Sequence, residues 1–152
     1  MREILFRGKS IIRGEWIYGY LNQHRGNIRY DCDCEPIADG CYYINDWQTK
    51  IDTGMYGQNY KVDPSTIGQF TGLTDKNGVK IFEGDIIEFD HPYNGKSIHA
   101  VVQDGCGWNL SNFYASCFDY PGCAFSEGTK YMTVIGNVHD NPELLEVSGD
   151  EA

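Results

Sequence analysis

The chain has 152 residues, with 12 Lys/Arg against 22 Asp/Glu, a net charge of −10, 41% hydrophobic and 14% aromatic side chains, and 18 glycines. That size suits one ordinary domain or two small lobes sharing a core, and the composition argues against global disorder and against long helices, because aromatic and β-branched residues fit a pleated surface. No stretch approaches the roughly 20 apolar residues of a membrane-spanning helix, and residues 1–9 lack the apolar core and cleavage site of a secretory signal. The expectation is a cytoplasmic protein with no membrane partner. In a reducing compartment Cys32, Cys34, Cys41, Cys106, Cys117 and Cys123 are then free thiols that pack as small apolar residues.

Ile4-Leu5-Phe6 and Glu15-Trp16-Ile17-Tyr18-Gly19-Tyr20-Leu21 read as strands, with Arg13-Gly14 as the turn of a hairpin. Residues 22–40 are polar and turn-rich, broken at Arg25-Gly26-Asn27 and at Asp39-Gly40. Cys41-Tyr42-Tyr43-Ile44 reads as a strand, and a loop-rich segment follows to about Tyr60. Asp63-Pro64-Ser65-Thr66 has the form of a one-turn helix start. Asn77-Gly78 between two apolar runs predicts a hairpin with a type I′ turn, and Glu83-Gly84-Asp85 punctuates the chain before Ile86-Ile87-Glu88-Phe89.

Strands are expected at Ile98–Gln103, Trp108–Leu110 and Tyr131–Val138, the last with a bulge or bend at Gly136. Asp140-Asn141-Pro142-Glu143 predicts a short helix, Asn141 capping it and Pro142 at its first position. The predicted fold is mainly β, with one or two short helices. An N-terminal β lobe with a loop-rich segment covers residues 1–62. Residues 63–152 form the second part, containing a small SH3-like barrel over about 83–140 and the C-terminal helix.

Charge is unevenly placed. Residues 1–62 balance eight basic against eight acidic side chains, whereas residues 63–152 hold four against fourteen. An acidic surface repels phosphate backbones. Yet residues 1–30 carry Arg2, Arg7, Lys9, Arg13, Arg25 and Arg29 against only Glu3 and Glu15.

Three blocks carry a resemblance. They are Leu5-Phe6-Arg7-Gly8 with Gly14-Glu15-Trp16-Ile17-Tyr18-Gly19; Ile67-Gly68-Gln69-Phe70-Thr71-Gly72-Leu73-Thr74-Asp75-Lys76-Asn77-Gly78 continued by Ile81-Phe82-Glu83-Gly84-Asp85-Ile86-Ile87; and Val134-Ile135-Gly136-Asn137-Val138-His139-Asp140-Asn141-Pro142-Glu143-Leu144. In order and spacing they resemble the YopX family of phage and prophage proteins. The resemblance implies a mainly β protein encoded by a phage or mobile element and acting in a bacterial cytoplasm. It implies no established activity and carries over no catalytic residue. Within the blocks, the glycines fit turns or close backbone approach, and Asp75, Glu83 and Asp85 suit hydrogen bonds to turn amides.

The remaining chemistry is thin. Cys32-x-Cys34 with Cys41, and Cys117 with Cys123, depart from the spacing of structural zinc sites, and nothing brings His24 or His99 to complete a set, so no metal and no cofactor are expected. No motif pairs a nucleophile with a base. Glu83 and Asp85 share a face only if that segment is extended. No catalytic residue is expected, and the binding residues are not marked by any motif.

Aromatics are the last lead. Tyr18, Tyr20, Tyr42, Tyr43, Tyr56 and Tyr60 with Trp47 crowd the first lobe, and residues 112–126 hold a second concentration suited to partner binding if that run is a surface loop. The reading is a non-catalytic accessory protein acting through protein contact, including homo-oligomer formation. The alternatives are a nucleic-acid-associated module, on the basic first thirty residues, and an acidic mimic of DNA, on residues 63–152.

Overall fold

The computed structural model describes residues 3–25, 29–30, 36–37, 40–50, 56–93, 95–105, 107–111 and 129–146, with the backbone alone at 29–30, 36–37, 47–50, 56 and 104. The chain divides into two compact units, Met1–Gln69 and Phe70–Ala152. The architecture is mainly β.

In the first unit, β1 (Phe6–Lys9) and β2 (Trp16–Gln23) form the predicted hairpin, in the register Arg7↔Tyr18 and Lys9↔Trp16. Two-residue strands β3 (Arg29–Tyr30) and β4 (Pro36–Ile37) pair with each other. β5 (Tyr42–Lys50) and β6 (Tyr56–Lys61) extend the hairpin in the neighbour order β6-β5-β2-β1, and an antiparallel bridge between Ser10 and Val62 joins the end of β1 to the end of β6. Here the structure differs from the loop-rich segment expected up to about Tyr60. Asn45, Asp46, Gln58 and Asn59 lack the apolar alternation that marks a strand, but the ladder is anchored by buried Ile44 and Tyr60, and Asn45 Nδ2 donates to Asn59 Oδ1 at 2.9 Å.

Alternation on β2 sorts the two faces of the sheet. Ile17 and Leu21 point inward with Ile44, Tyr60 and Val62, and Phe6, Tyr42 and Ile67 pack against that cluster. Burying an Ile or Val of this kind stabilises by about 1.5–3 kcal/mol each. Residues 64–66 make one 3₁₀ turn as expected, with Asp63 accepting from the Ser65 N–H and hydroxyl. Thr66 ties the turn to β1 by accepting from Lys9 N at 2.8 Å.

β7 (Gly68–Thr74) leads into the second unit and pairs with β8 (Lys80–Phe82). The Asn77-Gly78 hairpin forms, but with a wider turn than the expected type I′. Asp75 N donates to Val79 O and Gly78 N to Asp75 O, so three residues make the loop and Gly78 alone supplies the left-handed position at φ +81°. A four-stranded antiparallel sheet of order β11-β10-β9-β12 follows, from β9 (Asp85–His91), β10 (Gly95–Asp104), β11 (Gly107–Leu110) and β12 (Met132–Asn137). Its core gathers Ile81, Ile87, Phe89, Val101, Leu110 and Met132. The register of β12 shifts between Val134 and Gly136, the bulge expected at Gly136.

The predicted C-terminal helix is a single turn, α1 (Glu143–Glu146). Asn141 does not cap it by its side chain. Its Oδ1 turns back to accept from Asn137 N at 3.4 Å, while Asn137 Oδ1 accepts from His139 N and Asp140 N. Among the described residues no helix is long and apolar enough to cross a membrane.

Candidate functional site

The acidic residues of the strongest motif hold turns. Asp75 is buried, and both its carboxylate oxygens accept backbone N–H groups. Oδ1 takes Asn77 at 2.8 Å and Val79 at 3.0 Å, and Oδ2 takes Val134 at 3.0 Å. One side chain therefore closes its own hairpin and fastens it to β12. Asp85, also buried, accepts from Phe82 N at 2.8 Å. Between Glu83 and Asp85 the chain is a turn, with Gly84 at φ +84°, so the extended segment needed to align the two carboxylates on one face does not exist. The Gly84 peptide is engaged on both sides, its N–H donating to Val101 O and its carbonyl accepting from Val138 N.

A base and a hydroxyl do meet on β10. His99 and Ser97 lie two residues apart on one face, with His99 Nε2 2.8 Å from Ser97 Oγ and His99 Nδ1 2.7 Å from the Ser111 carbonyl. The carbonyl can only accept, so Nδ1 carries the proton and Nε2 accepts from the serine hydroxyl. Sequence reasoning missed this pair; its only signal is the i, i+2 spacing on a strand. The ring is buried and hydrogen-bonded at both nitrogens, which is the geometry of a histidine held in place within the sheet. Burial pushes its pKa below the ordinary value, outweighing the raising effect of the Ser111 hydrogen bond.

The sign of the stability effect follows. Above the unfolded value of about 6.5 both states are neutral, whereas below it the unfolded chain takes up a proton that the folded one resists. Folding stability is expected to fall as pH drops below about 6.5, with a slope from this group of at most about 1.4 kcal/mol per pH unit. Urea unfolding of wild type and His99→Gln at pH 7.5 and 5.5 checks this: the variant loses less stability on acidification. Equal losses would contradict it.

Among the described residues no three His, Cys, Asp or Glu side chains come together as a metal cluster would. Cys41 is half-buried, and His24 is buried with its ring 6.4 Å from that of Tyr43. The other five cysteines, and the aromatic run at 112–126, lie outside the described residues.

The outward face of the first-unit sheet is different in kind. On β2, Trp16, Tyr18, Tyr20 and Asn22 alternate with the core-facing residues, and Tyr18 and Tyr20 are 45% and 51% exposed. Register places Arg7 and Lys9 of β1 beside Tyr18 and Trp16. It places Asn45 and Tyr43 of β5 beside Tyr20 and Asn22, then Asn59 and Lys61 of β6 beyond them. The Arg7 guanidinium, itself buried, lies 4.7 Å from the Trp16 ring centre, and Lys9 Nζ lies 5.9 Å from it. Stacked cations of this sort fix the indole's orientation. In the sequence these tyrosines and these basic residues stand apart; the signal that joins them is the period of two shared by Arg7/Lys9 and Trp16/Tyr18/Tyr20.

Taken together, the fold and its turn chemistry define a mainly antiparallel β protein in which buried carboxylates hold hairpins and one sheet face is left aromatic and polar. The chain belongs to the YopX protein family, which matches over residues 5–146, so the resemblance drawn from the three sequence blocks is correct. It is similar to the crystal structure of protein EF1440 from Enterococcus faecalis at 26% identity and a TM-score of 0.52, over 95% of this chain and 99% of that one. A comparison with curated proteins finds no match.

Proposed function

We propose that the protein is a non-catalytic accessory protein of a phage or prophage that acts in its host's cytoplasm by holding a partner on the outer face of the β6-β5-β2-β1 sheet. The observation that carries this reading is the row of Trp16, Tyr18 and Tyr20 on β2, of which the two tyrosines present about half their surface to water. Large side chains with an apolar body and a polar tip are what interfaces select. Supporting it, the acids Asp75 and Asp85 of the most distinctive motif are turned inward to backbone amides rather than toward a ligand.

A photo-crosslinking amino acid placed at position 18 or 20, with position 79 in the second unit as an equally exposed control, tests the proposal in host cells in which the element is induced. The expected result is a discrete covalent adduct from positions 18 and 20 and none from position 79. The mass of the adduct distinguishes a second copy of the chain, another protein and a nucleic acid. Absence of any adduct from 18 and 20 would contradict the reading.

A further inference from the structure

We infer that Asn77 is a self-modifying site whose conversion to isoaspartate acts as a one-way latch on the hairpin that Asp75 closes. The inference concerns the second unit and does not rest on the reading of the outer face of the first. Asn77 is exposed at the tip of the β7–β8 hairpin. Its backbone N–H is bonded to Asp75, and among the described residues no group bonds to its side-chain amide. Gly78 follows it, with no atom within 4 Å of a built Cβ. Asparagine is chemically labile, and a following glycine leaves the path from the next backbone nitrogen to Cγ clear of a side chain.

The reaction needs only water. Gly78 N gives its proton to solvent and attacks Asn77 Cγ. The new C–N bond forms as Cγ–Nδ2 breaks, and Nδ2 leaves as ammonia after taking up a proton. Water then opens the cyclic imide. Attack at Cγ restores the ordinary backbone as aspartate. Attack at the main-chain carbonyl carbon cuts that carbon from Gly78 N, so the chain runs through Cβ and Cγ as isoaspartate.

The closed hairpin opposes the first step. Gly78 N–H is held by Asp75 O at 3.0 Å, and the Asn77 and Val79 N–H groups are held by Asp75 Oδ1 at 2.8 and 3.0 Å. One residue thus fixes the nucleophile's proton and the peptide units on both sides of Asn77, and the imide closes only from an opened turn. The same tip is fastened to β12, where Val134 N donates to Asp75 Oδ2 at 3.0 Å and Lys76 N donates to Met132 O at 3.1 Å. Local openings of this kind cost less than global unfolding. The product cannot reclose. Isoaspartate adds a methylene to the backbone before Gly78 N, so the N–H groups of residues 77 and 79 no longer match the span of one carboxylate oxygen. It also sets a new carboxylate near buried Asp75, and like charges disfavour each other.

The test is peptide mapping by mass spectrometry of the full chain, held at mildly alkaline pH either native or in urea. Asn94→Gln is carried in every sample, because Asn94-Gly95 is the chain's other Asn-Gly pair. Conversion at Asn77 is expected to be slower by roughly tenfold or more in the native chain than in urea. In native Asp75→Asn it should be faster than in the native parent by roughly fivefold or more. Amide hydrogen exchange gives a readout that needs no destabilised variant. The Gly78, Val79 and Val134 amides should be protected in unconverted chains and lose that protection in the isoaspartate fraction. Asn77→Asp, which adds the charge without the extra backbone atom, should keep it. Equal rates in the native chain and in urea would overturn the gating by Asp75. Undiminished protection of Val134 in the isoaspartate fraction would overturn the latch, and no conversion at Asn77 in urea would overturn the site itself.

Discussion

Replacing Asp75 by alanine is expected to lower the unfolding free energy of the Phe70–Ala152 unit by about 3–5 kcal/mol. The carboxylate accepts three backbone N–H groups, from Asn77, Val79 and Val134, in a buried setting. A hydrogen bond to a charged acceptor contributes about 1.5–3 kcal/mol, and each donor left unsatisfied in the interior costs a further share, without full additivity. Asp75→Asn keeps one carbonyl oxygen for the turn amides of Asn77 and Val79 but turns an NH₂ toward the Val134 N–H, so an intermediate loss of about 1–3 kcal/mol is expected. Urea unfolding followed by circular dichroism measures both. A loss below about 1 kcal/mol for the alanine variant would mean that the turn amides do not depend on this carboxylate.

The second large effect is expected at Gly19. A Cβ built there overlaps the carbonyl oxygen of Asn45 and comes within 2.7 Å of its carbon, and both are backbone atoms of the neighbouring strand β5. No rotamer change can relieve such a contact; β5 itself has to move away from β2. Overpacking usually costs 1–3 kcal/mol, and with the obstruction in the backbone Gly19→Ala should cost about 3 kcal/mol or more. Gly14 supplies the comparison. It has a positive φ of 67° but nothing within 4 Å of a built Cβ, so Gly14→Ala meets only the left-handed strain of about 1–2 kcal/mol. The ratio of the two losses, read from unfolding curves of the full chain, separates close approach from backbone strain. Gly19 also lies between Tyr18 and Tyr20, so its substitution should disturb the outer face as well as the core.

Much of the fold was legible because its signals are local. The Arg13-Gly14 turn, the Asp63-Pro64 helix start, the bulge at Gly136 and the strands around Ile86 and Val134 each follow from turn chemistry or apolar runs acting over a few residues. The β5–β6 hairpin was not, because its outer residues Asn45 and Asn59 satisfy each other rather than the core, and such polar strands read as loops. Asn77-Gly78 marked the hairpin but not its width. The deciding group is the Asp75 carboxylate, whose third partner, Val134, lies 59 residues away in the chain. Distance in sequence also hid the candidate face: Tyr43 and Asn45 come beside Asn22 and Tyr20, and Lys61 and Asn59 beside them in turn, only through the registers of β2, β5 and β6.

The measurement that bears most directly on the face as the working surface is tyrosine footprinting in induced host cells against the isolated protein. Tyr93, 90% exposed in the second unit, serves as the internal reference for Tyr18 and Tyr20. All three tyrosines should react in the isolated chain. In the host, Tyr18 and Tyr20 should be protected while Tyr93 continues to react. Unchanged reactivity at Tyr18 and Tyr20 in the host would contradict the assignment of β2 as the strand that meets the partner.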